Sequence, residues 1–167
     1  MRESQLCFIR QQGFSTPLSS NHLYSALMFQ PRVIGGLVML GIVSESSWLF
    51  LALSAVLWWN AIVPTHNVFD AIYNYAIADP RGLPRLGAAP TPRRFAQGMA
   101  GTFALVIAVA LMLGATTAAW VGEGLFSVAL VLLIFGRFCV GSYVFHVLQQ
   151  RLSMKRQSLP THARQCR

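Results

Sequence analysis

Two apolar zones, residues 33–63 and 95–148, hold only three charged residues between them: Glu45, Glu123 and Arg137. A segment that enters lipid must satisfy each backbone N–H and C=O internally, so zones of this kind fold as helices. Charged residues make up 11% of the chain and hydrophobic ones 54%. A water-soluble domain carries roughly 25% charged residues, so this chain has too little charge to coat a globule. Mean hydropathy of +0.52 agrees. The 167 residues leave room for one domain, read as an all-α integral membrane protein.

Roughly 20 apolar residues cross a ~30 Å hydrocarbon core as a helix. Residues 95–113 are free of charge and long enough to span, and Gly114 opens a turn. Residues 118–148 continue as one long helix. The first zone is interrupted by Ser44-Glu45-Ser46-Ser47. It reads either as one long helix with Glu45 in its middle or as a tight hairpin of helices 31–46 and 47–63. A lone carboxyl at mid-bilayer is costly, which favours the hairpin. The expected fold is therefore four transmembrane helices as two hairpins.

Charge placement points the same way. The chain carries 13 Lys+Arg against 5 Asp+Glu, a net charge of +8. The basic residues cluster in the N-terminal stretch, in residues 81–94 and after residue 150; the Ser44–Ser47 and Gly114–Ala119 turns have none. Basic residues concentrate on the cytoplasmic side, so four crossings with both termini cytoplasmic are expected. No basic groove with interleaved aromatics is visible, which argues against nucleic acid. The bilayer is the expected partner, joined by a protein partner whose identity the residues do not give.

Residues 1–28 are polar and lack a signal-peptide core; they read as a disordered tail ahead of a membrane domain at 29–150, with 151–167 a basic cytoplasmic tail. In the central segment, Asn67 is a fair N-cap and Asp70 lies in a favoured first turn. Val68, Ile72 and Tyr75 form an apolar stripe, so a short amphipathic helix is expected on the membrane surface. Pro80, Pro84, Pro90 and Pro92 keep the second half of that segment extended and non-helical, and Arg93-Arg94 reads as an interfacial anchor. In the third helix Ala96, Ala100, Ala104 and Ala108 recur every four residues beside Gly101, a face that lets helices approach closely in lipid. It suits a neighbour in the same chain; a homo-oligomer seam is the other use of such a face. Gly35, Gly36 and Gly41 serve likewise in the first helix.

Little chemistry is visible. Cys7, Cys139 and Cys166 form no CxxC pair, and the tail thiols Cys7 and Cys166 are expected to be reduced in a cytoplasmic setting. No metal-ligand cluster, phosphate loop or cofactor motif occurs, so neither metal nor cofactor is expected. Arg137, Cys139 and His146 are the candidates for a site, all in the last apolar run. If that helix enters at Trp120, Arg137 reaches the cytoplasmic interface by snorkelling. If it runs Leu125–Leu148, Arg137 lies at mid-membrane and needs a partner. Cys139 is either a small buried hydrophobe or a reactive thiol beside Arg137.

The stretches QPRVIGG (30–36), PTPRRFAQGMAG (90–101) and FCVGSY (138–143) resemble a bacterial membrane family, domain of unknown function 4395 (DUF4395). The resemblance covers roughly residues 29–150. It implies four transmembrane helices in a bacterial inner (plasma) membrane and carries no established activity. Family members often have a paired cysteine where this chain has Cys139-Val140-Gly141-Ser142. Ser142 in the second position rules out dithiol cycling at that spot. The expected function is a non-enzymatic accessory or scaffold subunit packing through small-residue faces. The alternative is a membrane redox or sulfur-handling component acting through Cys139.

Overall fold

The computed structural model describes residues 3–14 and 20–154. All of their regular elements are helices, with no strand among the described residues. The α-helices are α1 (Glu3–Gln11), α2 (Ser20–Val43), α3 (Ser47–Ile62), α4 (Val68–Tyr73), α5 (Thr91–Met112), α6 (Thr116–Ile134) and α7 (Val140–Met154). Segments His22–Val43, Thr91–Met112 and Thr116–Ile134 are each long and apolar enough to cross a membrane; Ser47–Ile62 is a shorter apolar helix.

The turns arise from local chemistry. At Ser44–Ser46 the chain reverses through Glu45, whose φ is +47°. The Ser44 hydroxyl donates to the Leu40 carbonyl (2.7 Å), and Ser46 caps α3 by accepting from the Leu49 amide (3.3 Å). Gly114, at φ +69°, closes the turn between α5 and α6, a left-handed conformation in which glycine meets no steric penalty. Pro90 and Pro92 stand at the start of α5, where a missing N–H costs nothing.

The main core joins α2, α3, α5 and α6 through Val38, Phe50, Leu53, Leu57, Ile107 and Phe126. The closest packing is α3 on α5. Gly101, Ala104 and Ala108 are buried there, and Ser54 Oγ donates to the Gly101 carbonyl (2.8 Å). Gly98 faces Ala61, and a Cβ on Gly101 would lie 2.9 Å from Trp58 Cδ1. Ala96 instead meets Gly141 of α7, where a Cβ on the glycine would lie 2.7 Å from the Ala96 Cα. On the small-residue face Gly101 thus meets α3 and Ala96 meets α7 of the same chain, while Ala100 lines a cavity.

Two boundaries differ from the sequence expectation. The first is the N-terminal stretch, expected to be disordered to residue 28. Residues 3–11 form α1, and α2 begins at Ser20, well before residue 31. Phe8 and Ile9 of α1 pack with Leu27 and Met28 of α2 in a core of their own, and the Phe8 and Tyr24 rings meet edge to face. A few apolar residues at helical spacing suffice because a matching surface on α2 receives them; composition alone hides this. Residues 15–19, and the basic tail from 155 onward, lie outside the described residues.

The second difference is the single helix expected over 118–148, which is two. Helix α6 stops at Ile134 and α7 starts at Val140. The Phe138 amide donates to the Leu132 carbonyl (3.2 Å) across Arg137, which turns the chain in the left-handed region at φ +56°. At Gly136 a Cβ would fall 2.6 Å from the Leu132 carbonyl oxygen, so glycine is needed there. Helix α7 then folds back along the start of α5, with the Phe95 and Phe145 rings 5.6 Å apart.

In the central segment Asn67 caps α4, accepting from the Phe69 and Asp70 amides. Phe69, Asp70 and Tyr73 face inward, while Val68, Ile72 and Tyr75 stay exposed. The helix runs on through a π-helical stretch (Asn74–Ala78) and a 3-10 turn (Asp79–Arg81). Arg85 clasps Asp79 with two 2.7 Å bonds. Those bonds, and then the guanidinium charge, hold the Asp79 carboxyl below its ordinary range. The clasp is complete above the ordinary carboxylate range and is lost as pH falls through the lowered value.

Gly101→Leu should drive a side chain into Trp58 and Leu57 and lower the melting midpoint in detergent, at a cost of about 1–3 kcal/mol. Gly36→Ala, where an added Cβ meets nothing, should leave the midpoint unchanged or raise it.

Candidate functional site

A buried polar cluster sits where α5 begins. The helical repeat places Arg93 and Gln97 one turn apart on one face of α5. Arg93 Nη1 donates to Asp70 Oδ2 (2.9 Å) and Nη2 to Asp70 Oδ1 (2.7 Å). Nη2 also donates to Gln30 Oε1 (2.6 Å). The Arg93 and Asp70 side chains are only 5% and 8% exposed, so a full ion pair is sequestered from solvent. Buried charges persist only when paired and hydrogen-bonded, and this forked geometry is the strong form of the pairing. The Phe14 ring lies 5.8 Å from the guanidinium carbon.

Each partner is itself held in place. Asn67 secures the first turn of α4, and Asn60 Oδ1 accepts from the Val68 amide (2.9 Å); together they fix Asp70. Neighbouring Arg94 turns away and donates through Nε to the Ala61 carbonyl at the end of α3 (2.8 Å). Gln97 Nε2 donates to Gln30 Oε1 (3.1 Å). Gln97 Oε1 is left buried without a hydrogen-bond partner, as are Asn60 Nδ2 and Asn67 Nδ2.

The cluster forms the polar end of a cavity of about 370 Å³. Gln12, Gln30, Arg93 and Gln97 line this end, and Cys139 is beside them. The rest of the wall is apolar and comes from all the long helices: Ile34 of α2, Leu57 of α3, Phe103 of α5, Leu130 of α6. The volume falls within the roughly 300–1,000 Å³ of small-molecule sites. The arrangement suits an amphipathic guest with a polar end at Gln97 and an apolar body between α5 and α6.

Of the residues singled out from the sequence, Cys139 reaches this cavity. It is buried and free, immediately ahead of α7. Ser142 Oγ lies 3.4 Å from its Sγ and also 3.4 Å from the Pro92 carbonyl. Its backbone is clasped at both ends by the Gln11 side chain, which accepts from the Cys139 amide and donates to its carbonyl, each at 3.1 Å. His146 lies two turns along α7, with Nε2 3.1 Å from the Gln11 carbonyl. Arg137 donates to Ser4 Oγ (2.7 Å) and lies over the Tyr24 ring. The three residues are thus neighbours through α1, and His146 and Arg137 both serve to hold that helix down. Cys7 is disulfide-bonded, where a reduced thiol was expected, and Cys166 is outside the described residues. Among the described residues no group of His, Cys, Asp or Glu is placed to hold a metal.

Sequence reading missed Gln30, Asp70, Arg93 and Gln97 as a unit. The signal was present: Gln30, Arg93 and Gln97 lie in the stretches QPRVIGG and PTPRRFAQGMAG, each a polar residue beside an apolar run. Nothing in the spacing shows that residues separated by 23 and 63 positions meet.

Residues 25–150 match the family described as domain of unknown function (DUF4395). The match covers most of the chain, which belongs to that family. No curated protein and no solved structure matches it.

Gln11→Ala should remove both clasps on the Cys139 backbone. Losing two bonds of about 1 kcal/mol each should speed N-ethylmaleimide labelling of Cys139 by about ten-fold or more, as read by mass spectrometry of the Cys139 peptide. Labelling at the wild-type rate would show that α1 does not guard the thiol.

Proposed function

We propose that this chain is a four-pass protein of a bacterial inner membrane, with both termini cytoplasmic, and that it works as a non-catalytic accessory component. The exposed apolar belt carries the membrane reading. Met39, Leu40 and Val43 of α2, Val106 and Val109 of α5, and Val121, Leu125, Val128 and Val131 of α6 are all exposed. A soluble monomer rarely shows so large a contiguous apolar surface. Helix α3, with 16 residues, spans about 24 Å and serves as the fourth crossing where the bilayer thins to meet it. Its exposed Trp48 and Trp59 stand at opposite ends, as interfacial tryptophans do. Arg93, Arg94 and Arg137 all lie at helix ends away from the two turns that lack basic residues. They mark the cytoplasmic level, and α1, α4 and α7 cap the bundle on that side.

The accessory reading rests on what the reactive-type side chains do. His146 and Arg137 are committed to α1, and Arg93 and Asp70 to each other. A second reading, thiol chemistry at Cys139, is favoured by one observation: the Sγ lies at the cavity wall with the Ser142 hydroxyl 3.4 Å away.

Alkaline phosphatase placed after Gly114 should be active, and a fusion after Arg167 should be inactive; activity after Arg167 contradicts the topology. In a strain lacking the gene, Cys139→Ser should restore any deletion phenotype in full. Failure of a stably accumulated Cys139→Ser protein to do so would favour the thiol reading.

A further inference from the structure

We infer that the cavity between α5 and α6 is a binding site for a neutral single-chain lipid whose headgroup carries a hydrogen-bond donor, a hydroxyl or amide N–H, that bonds Gln97 Oε1. The polar cluster is ordered outward from its charge. Asp70 fixes the Arg93 guanidinium through two bonds. Arg93 Nη2 then requires an acceptor from Gln30 and so orients its Oε1 inward. With Gln30 Oε1 in place, Gln97 must present Nε2 to it; the flipped amide would set two oxygens against each other. Gln97 Oε1 is therefore the atom left over. It is an acceptor on a residue only 4% exposed, which lines the cavity and has no partner. A buried acceptor without a donor is costly, and a donor headgroup removes that cost. An anionic head gains less here, because the one arginine at the site is already neutralised by Asp70.

The remaining wall selects the tail. Beyond Gln97 the cavity runs past Ala100 and Phe103 on α5 and from Leu133 to Leu125 on α6. That is about 12 Å of helix without a polar group. Leu125, Val128 and Leu132 line the cavity and are also exposed on the outer surface of α6. The cavity therefore opens sideways, and a chain longer than the cavity emerges between α5 and α6. The inference rests on the membrane reading only for the direction from which the lipid enters, so the topology fusions and the binding assay fail independently.

The test is photo-crosslinking of the full-length protein in phosphatidylcholine nanodiscs, with a monoacylglycerol bearing a diazirine in its acyl chain. Crosslinks are expected on peptides from 96–103 and 125–133. Monoolein and oleamide should compete at about ten-fold lower concentration than methyl oleate or oleate, which share the chain and lack the donor. Gln97→Leu should erase that preference while crosslinking persists. Ala100→Phe should fill the cavity and abolish crosslinking; Val128→Trp, at the exposed rim, should reduce it without touching the core. Equal competition by methyl oleate in the wild type overturns the headgroup assignment. Unchanged crosslinking in both cavity variants, with wild-type melting, overturns the site.

Discussion

The Arg93–Asp70 ion pair is the interaction on which the arrangement of this protein turns. It joins the first turn of α5 to the first turn of α4, and through Gln30 it reaches the middle of α2. Apolar contacts accompany it at this level: Ala26 and Phe29 of α2 pack on Tyr73 of α4, and Phe69 of α4 joins the main core. Above it, toward the turns at Ser44–Ser46 and Gly114, the bundle is held by apolar packing and by small residues on α5. Below it, α1 is held by its apolar core with α2 and by the bonds of Gln11 and Ser4, and α7 by its packing on the start of α5. A buried pair is not in itself a source of stability, because desolvation offsets much of the attraction. Its effect here is directional: it fixes which way each amide of the cluster points, and so leaves one acceptor, Gln97 Oε1, without a partner.

Small residues let the helices of the bundle approach one another closely. Gly101 lets Trp58 and Leu57 of α3 approach the α5 backbone, and Ser54 uses the same approach to bond the Gly101 carbonyl. Gly141 does likewise for α7 against Ala96. Each glycine sits where a side chain would separate two helices and open the core. Part of the alanine stripe is therefore occupied within the chain, while Ala100 lines the cavity.

Much of the fold was legible in the sequence. Long apolar runs marked helices α3, α5 and the body of α6, and the Ser44–Ser47 interruption marked a true turn. Asn67 capped its helix as its residue type implies. Other features were hidden for physical reasons. The break at Gly136–Arg137 lies between two apolar stretches interrupted only by Arg137, which snorkelling could accommodate within one helix. Helix α1 is too short and too polar to announce itself, and is ordered by Leu27, Met28, Gln11's bonds to Cys139 and the Arg137–Ser4 bond. The polar cluster needs residues from three helices to come together, and a single sequence carries no signal for that. Arg93 read as an interfacial anchor because its neighbour Arg94 and the adjacent prolines invite it; its true partner lies 23 residues upstream.

The most direct measurement is a double-mutant cycle on the buried pair, read by unfolding in detergent. Arg93→Met and Asp70→Leu should each cost about 3–5 kcal/mol, since each strands a buried charge, and the double replacement should recover a large part of that loss. Effects that simply add, with no recovery in the double variant, would mean that the two residues do not depend on each other and that the helices are aligned by something else.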